Sequence, residues 1–302
     1  MTDRTSGTAY SVFDGFTTFD VPVSGATIHG RRGGDGPPVL LLHGFPETHV
    51  MWHRVAPALA REFSVVATDL TGFGDSTAGD THSMRELATH QVEVMQAFGY
   101  DAFAVAGHDR GARCAYRMAL DHPDVVTRLA VLDIVPTGDA FDRADKEFAL
   151  GYWVWSFLAA PEPIPERLIA QEPELFVQHC LDSWSAADVF PREVRNEYVR
   201  HFRDPATVHA ICEEYRAAAT VDHQHDTADR GVRRIGCPVL ALWDPSGAVV
   251  SWYGDPIAIW REWADEVVGA PIPAGHFMAE EAPAETLDRL MPFLRGDVRS
   301  AR

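Results

Sequence analysis

Phe103-Ala104-Val105-Ala106-Gly107-His108-Asp109-Arg110-Gly111-Ala112 is the stretch whose reading decides the fold. Its apolar first part, Phe103 to Ala106, reads as a buried strand, and a helix pattern runs from Ala112 to Leu120. Between them stands Gly107-x-Asp109-x-Gly111, whose small flanking residues permit a tight, strained turn that exposes the middle side chain. That is the strand–turn–helix setting of a nucleophile elbow, with aspartate where serine is usual. A bare Gly-x-Asp-x-Gly is also a common βα turn with a capping Asp. The rest of the chain has to separate the two readings.

The aspartate matters chemically. Serine attacking a saturated carbon would leave an ether, which a hydrolytic triad cannot open. A carboxylate leaves an ester, which water can cleave, and it is already ionised near neutral pH. An Asp elbow therefore points to displacement at an alkyl halide or epoxide carbon rather than to acyl transfer.

Working outward on the N-terminal side, Thr17 to Arg31 suggests two short strands around Ser24-Gly25. The turn cluster Gly33 to Pro38 leads into a buried strand, Val39 to Leu42, which ends in His43-Gly44-Phe45-Pro46. A Gly-containing loop facing the elbow is where an oxyanion hole takes its first donor. The backbone N–H groups of Phe45 and Arg110 are the candidates. His43 reads as a brace for that loop. A helix is expected over Trp52 to Glu62, a strand over Ser64 to Ala67, and a helix over Ser83 to Phe98 capped by Ser83 with Glu86 three residues on. The glycines of Asp69 to Ser76 lack phosphate-loop spacing and a lysine.

On the C-terminal side, Arg128 to Leu132 forms a strand ending at Asp133. From Pro136 to about Arg234 the chain becomes rich in aromatic residues and helix formers, without strand–helix alternation. The expected organisation is an α/β core over residues 1–135 and 235–302 with a helical cap, 136–234, inserted in it. The core resumes with a strand over Cys237 to Trp243, a helix over Pro256 to Ala264, a strand over Glu266 to Ile272, then Gly275-His276-Phe277 and a last helix, Pro283 to Phe293.

Strands alternating with helices, with nucleophile, acid and histidine in that chain order, are the pattern of an α/β-hydrolase: a mostly parallel sheet with helices on both faces. Asp109 is then the nucleophile and His276 the base that activates water. Asp133 and Asp244 both end predicted strands and could orient His276. Asp133 is preferred, because a charge within Leu132-Asp133-Ile134-Val135 is costly unless paired. Asp244 precedes Pro245-Ser246-Gly247 and reads as a turn residue. Arg110 and Arg113 lie three apart on the elbow helix, so both can face the site. Two guanidinium forks there suit a carboxylate, hence a small halogenated or oxirane acid.

Gly107 to Arg113, Val131 to Ile134, Trp155 to Leu158, Cys212 to Ala217 and Gly275 to Phe277 together resemble the haloacetate dehalogenases, over about Phe13 to Phe293. The resemblance implies Asp109 as nucleophile, Asp133 as acid and His276 as base, with Arg110 and Arg113 on the substrate carboxylate. It also implies a halide pocket on the cap made by His, Trp and Tyr. Trp155 and Tyr215 match the last two, and Val154 stands at the position of the His.

The chain has 302 residues, with 26 basic against 44 acidic and a net charge of −18, which argues against nucleic acid and anionic membranes as partners. No apolar stretch approaches a membrane span, and Met1 to Phe16 is polar without a signal-like core. Cys114, Cys180, Cys212 and Cys237 are scattered, as free thiols in a reducing cytoplasm would be. Asp222-His223-Gln224-His225-Asp226 reads as a polar loop at the cap–core junction rather than a metal site, so no metal or cofactor is expected. The expected partners are a small haloacid anion and water, with a homodimer as the candidate assembly. Two other functions fit the same pattern. An epoxide hydrolase would need acidic hydroxyls on the cap, Tyr215 with Tyr152 or Tyr198. A non-catalytic carboxylate receptor would have no use for His276.

Overall fold

The computed structural model describes residues 13–297. Eight strands form one sheet: β1 (Thr17–Val23), β2 (Ala26–Gly33), β3 (Pro38–Leu42), β4 (Ser64–Thr68), β5 (Phe103–His108), β6 (Val126–Leu132), β7 (Val239–Trp243) and β8 (Val267–Pro271). Their order is β1-β2-β4-β3-β5-β6-β7-β8. β1 pairs with β2, and β2 with β4, antiparallel, and every later pairing is parallel. The inner strands are apolar without alternation because both faces are covered. Leu40, Leu42, Val105 and Val131 pack into one core, while Val39, Leu41, Ala104 and Ala106 pack into a second.

This topology gathers the site. The register sets Leu42 beside Gly107, His108 beside Leu132, and Leu132 beside Leu242. The loops leaving β3, β5, β6 and β7 therefore emerge along one edge. The crossover from β3 to β4 runs one way, and the chain then returns past β3 to β5. Strand order reverses there, which is where open α/β sheets leave a crevice for ligands.

The elbow explains its own glycines. A Cβ on Gly107 would lie 2.4 Å from the Gly111 carbonyl oxygen, and one on Gly111 would lie 2.4 Å from the His43 carbonyl oxygen. Strand, helix and the loop after β3 meet too closely for side chains at these points. The helix itself begins earlier than its apolar pattern, spanning Asp109–Asp121.

Two expectations are corrected. Trp52 to Glu62 is not one helix but a 3₁₀ turn, His49–Arg54, followed by a single α-turn, Ala56–Leu59. Pro57 lacks the N–H that would continue the ladder, and its ring would meet the carbonyl four residues back. The stretch Asp222 to Asp226 is helical rather than a loop, closing a π-turn, Ala218–Asp222, and opening a helix, His223–Asp229. Its two aspartates are drawn inward. Asp222 accepts the Met84 N–H (3.0 Å), and Asp226 accepts the Tyr116 hydroxyl (2.7 Å) and the Gly138 N–H (2.7 Å).

Between β6 and β7 the described chain holds helices from Thr137 to Asp229 and no strand of the sheet. Among the described residues no helix is long and apolar enough to cross a membrane.

Candidate active site

Asp109 caps the edge of β5 with φ of +42°, a left-handed backbone that a non-glycine residue adopts at a cost. The close packing of Gly107 and Gly111 holds it there. Its Oδ2 accepts the Phe45 N–H at 3.1 Å, so one donor expected for the oxyanion hole already touches the carboxylate. Arg113 Nε lies 3.9 Å from Oδ1. Burial pushes the Asp109 carboxyl up, but His276, Arg110 and Arg113 outweigh it and hold the group below the ordinary carboxylate range. An ionised, desolvated carboxylate is the state a nucleophile needs.

Asp133 also has positive φ, +55°, just past the end of β6. Its Oδ2 lies 2.7 Å from His276 Nδ1, and its Oδ1 accepts the Asp244 N–H at 3.1 Å. The Asp133 carboxylate accepts only, so Nδ1 is the donor of this pair and Nε2 is left out of it. The structure brings Asp133, rather than Asp244, to His276. Asp244 caps the turn it precedes, accepting the Ser246 N–H at 2.9 Å, as its sequence context suggests. His43 braces the loop after β3: Nδ1 donates to the Gly44 carbonyl (2.8 Å) and Nε2 accepts the Leu70 N–H (3.0 Å). Burial keeps it neutral, with its pKa down at about 4.

The two arginines are both buried and are held by different means. Arg113 Nη1 donates to the Val135 carbonyl (3.1 Å) and Thr137 Oγ1 (3.2 Å), while its Nε makes no hydrogen bond among the described residues. Arg110 turns Nε (3.0 Å) and Nη2 onto Glu214 Oε1, leaving Nη1 buried without a hydrogen bond among the described residues. The aromatic pair named from the sequence stands over them. Arg110 Cζ is 4.4 Å from the Tyr215 ring centre, and Arg113 Cζ is 4.5 Å from that of Trp155. The two rings cross at 85°, 6.2 Å apart. Val154 is fully buried on the same short helix as Trp155, Trp153–Leu158.

Sequence reasoning missed a buried chain behind the base. His108 Nε2 donates to the His276 carbonyl (2.8 Å), and its Nδ1 meets Glu47 Oε2 at 2.9 Å. Glu280 lies against Glu47 and accepts the Tyr198 hydroxyl at 3.1 Å. Burial first, and then their mutual proximity, pushes the Glu280 carboxyl up, and burial pushes Glu47 up as well. The chain fixes the backbone of His276. Glu47 follows the His-Gly-Phe-Pro loop directly, so a carboxylate in that apolar setting was a readable signal, but its partners were not.

Tyr152 was only a weak candidate in the sequence. It stacks on Trp155 at 2° with 6.1 Å between centres and lies 6.5 Å from the His276 ring. A cavity of about 470 Å³ opens beside it onto His276 and Asp133, walled by Trp184, Trp252 and Asp244. Asp222, His223, His225 and Asp226 do not converge as ligands. His223 pairs with Asp142 (2.7 Å) on one side, while Asp222 and Asp226 point into the core.

The α/β hydrolase fold model matches residues 37–283. A fluoroacetate dehalogenase from Burkholderia sp. is 42% identical over 297 residues, 96% of this chain and 97% of that protein. A soluble epoxide hydrolase from Corynebacterium sp. is 32% identical over 280 residues, covering 90% and 94% of the two. Among solved structures, a mutant of a Pseudomonas aeruginosa chain, provisionally assigned as an epoxide hydrolase and solved with bound MFA, superposes with a TM-score of 0.91. It is 44% identical and covers 96% of this chain and 99% of its own. The chain therefore belongs to the α/β-hydrolase family, with haloacetate dehalogenases and epoxide hydrolases as its kin.

Proposed function

We propose that the protein is a hydrolytic dehalogenase of short 2-haloacids, converting a haloacetate to glycolate and halide. One observation carries the reading: an aspartate on the strained elbow, flanked by two buried guanidinium groups that each keep a nitrogen without a hydrogen bond among the described residues. The first feature calls for an alkyl carbon to attack, the second for an anionic acceptor beside it.

In this reading Asp109 attacks C2 of the haloacid, and the halogen leaves with the electrons of its bond to C2 as halide, toward the Trp155 and Tyr215 side of the pocket. An ester joins Asp109 to the acid. His276 Nε2 then takes a proton from water, and the hydroxide adds to the Asp109 carboxyl carbon. The N–H of Phe45, which already reaches Oδ2, and that of Arg110 receive the oxyanion. Collapse expels the glycolate alkoxide, which takes the proton from the His276 imidazolium that Asp133 has steadied, and the Asp109 carboxyl gives up its own proton to water to restore the carboxylate. Residues 1–135 and 235–302 supply the elbow, the acid and the base, and the cap, 136–234, supplies the halide side. The described cysteines are all free, which suits a reducing cytoplasm.

The relationship to a fluoroacetate dehalogenase supports dehalogenation, while Val154 argues that chloride and bromide leave more readily than fluoride. Fluoride is the poorest leaving group and depends most on positioned donors. Halide release measured with fluoroacetate, chloroacetate and bromoacetate tests this. Release from chloroacetate and bromoacetate ahead of fluoroacetate is expected, and no release from any haloacid would end the reading.

A second reading is favoured by Tyr152. Burial raises its hydroxyl pKa well above the ordinary value, with Asp133 and Asp109 adding to the effect. Tyr152 and Tyr215 are thus both kept protonated within the field of Asp109, two O–H donors of the kind that opening an epoxide would use. Diol formation from an oxirane carboxylate, assayed beside halide release, separates the two activities.

A further inference from the structure

We infer that Glu214 is a positioning residue: by holding the Nε–Nη2 edge of Arg110 it leaves Nη1 as the nitrogen turned to the substrate, and so fixes the plane in which a carboxylate is held. The inference rests on the haloacid reading and concerns how that site recognises its substrate.

The two arginines take their hydrogen bonds from different kinds of acceptor. Arg113 is buried on neutral acceptors, the Val135 carbonyl and the Thr137 hydroxyl. Arg110, three residues earlier on the same helix, is turned instead onto a carboxylate of the helix Pro205–Ala217, 104 residues away. Both its Nε and its Nη2 fall on one oxygen, Glu214 Oε1. An arginine carries five N–H donors in a rigid fork. Spending the Nε edge on Glu214 and stacking one face on Tyr215, at 4.4 Å, leaves the ring plane and the free nitrogen no choice of direction.

The nitrogens left over make the case. Arg110 Nη1 and Arg113 Nε are buried and make no hydrogen bond among the described residues. Buried donors of this kind are seldom left unmet, and charged ones least of all. Arg113 Nε is also 3.9 Å from Asp109 Oδ1, so an acceptor bound there lies within reach of the nucleophile. A substrate carboxylate spanning the two arginines would take one N–H from each instead of a fork from either. Its plane is then set by two anchors on different supports. One of those supports is Glu214, on the segment between β6 and β7, so the helical insert contributes to acid recognition as well as to the halide side. Glu214 sits next to Tyr215 in sequence, which ties the position of the carboxylate to the position of the leaving group.

The test compares the parent protein with Glu214→Ala and Glu214→Asp. Three values are read: KM and kcat for chloroacetate by halide release, and the dissociation constant of glycolate by calorimetry. Glycolate binding needs no turnover. Loss of the support should raise KM and the glycolate constant together by about tenfold, with kcat changed less than about threefold. Glu214→Asp keeps the charge but withdraws the acceptor by one methylene, and it should raise both constants about threefold or more, including where the Ala variant does not fold. A folded Glu214→Asp or Glu214→Ala with parent-like KM and glycolate binding overturns the inference, as does a fall in kcat with both binding constants unmoved. A parent that binds glycolate but releases no halide overturns the haloacid reading and leaves the role of Glu214 open to the same binding comparison.

Discussion

The two walls of the site are built on different terms. On the sheet side, Asp109 and Asp133 both stand at strand ends with left-handed backbones, and His276 is tied at its ring to Asp133 and at its carbonyl to His108. On the helical side, Trp155 and Tyr215 sit within ordinary helices and are placed by packing on one another and on the arginines. Strain and paired buried charge are costs that persist only where neighbours enforce them. The sheet wall accepts them to hold the reacting atoms, whereas the helical wall bears none of the strain and can exchange side chains. The difference teaches where change is tolerated: under the proposed function, the bond-making chemistry would be held by the sheet edge and the choice of leaving group left open on the helical side.

The largest effect should come from the sheet wall. Asp109→Asn removes the nucleophilic oxygen without changing the volume, and kcat should fall by ~10⁴-fold or more in a halide-release assay. Retention of a tenth of the activity would move the nucleophile elsewhere. Next comes the boundary between the walls. Arg113→Ala removes a charge-assisted hydrogen bond worth about 1.5–3 kcal/mol, so kcat/KM for chloroacetate should drop about 10- to 150-fold. A neutral haloamide that the parent protein turns over as fast as the acid would contradict a carboxylate site there.

The smallest effect belongs to the helical wall. A positioned donor to a developing charge can be worth 10²–10³-fold. The site of Val154 is fully buried, and seating an imidazole there costs desolvation and repacking. Val154→His should therefore raise the ratio of fluoroacetate to chloroacetate turnover by about tenfold, read with ion-selective electrodes. A parent protein that already defluorinates faster than it dechlorinates would show that another donor serves the leaving group.

The same division governs what the chain discloses before it is folded. The strands of the core, the elbow, and the Asp133 and His276 pair follow from local signals: apolar runs ended by a polar residue, and glycines at fixed spacing. The acid was readable because a carboxylate in Leu132-Asp133-Ile134 has to be paired. Pairings between distant elements left no such trace. Glu47 meets His108 across 61 residues, Tyr198 meets Glu280 across 82, and Arg110 meets Glu214 across 104. Even for Arg110, read from the sequence as facing the site, nothing in the sequence names the partner that packing brings to it. Local pattern also failed at Pro57, where a missing N–H overrode an apolar helix repeat, and at Asp222 and Asp226, whose polarity suggested a loop although both are core acceptors.

The central claim is a division of labour between Asp109, which makes the ester, and His276, which opens it. His276→Ala keeps the nucleophile, the arginines and the Phe45 N–H while removing the base, so incubation with chloroacetate should release one equivalent of chloride and then stop. Intact-protein mass spectrometry should find a single carboxymethyl group, and peptide mapping should place it on Asp109. Unmodified protein with no burst of chloride would contradict the account, and so would a carboxymethyl group on any other residue.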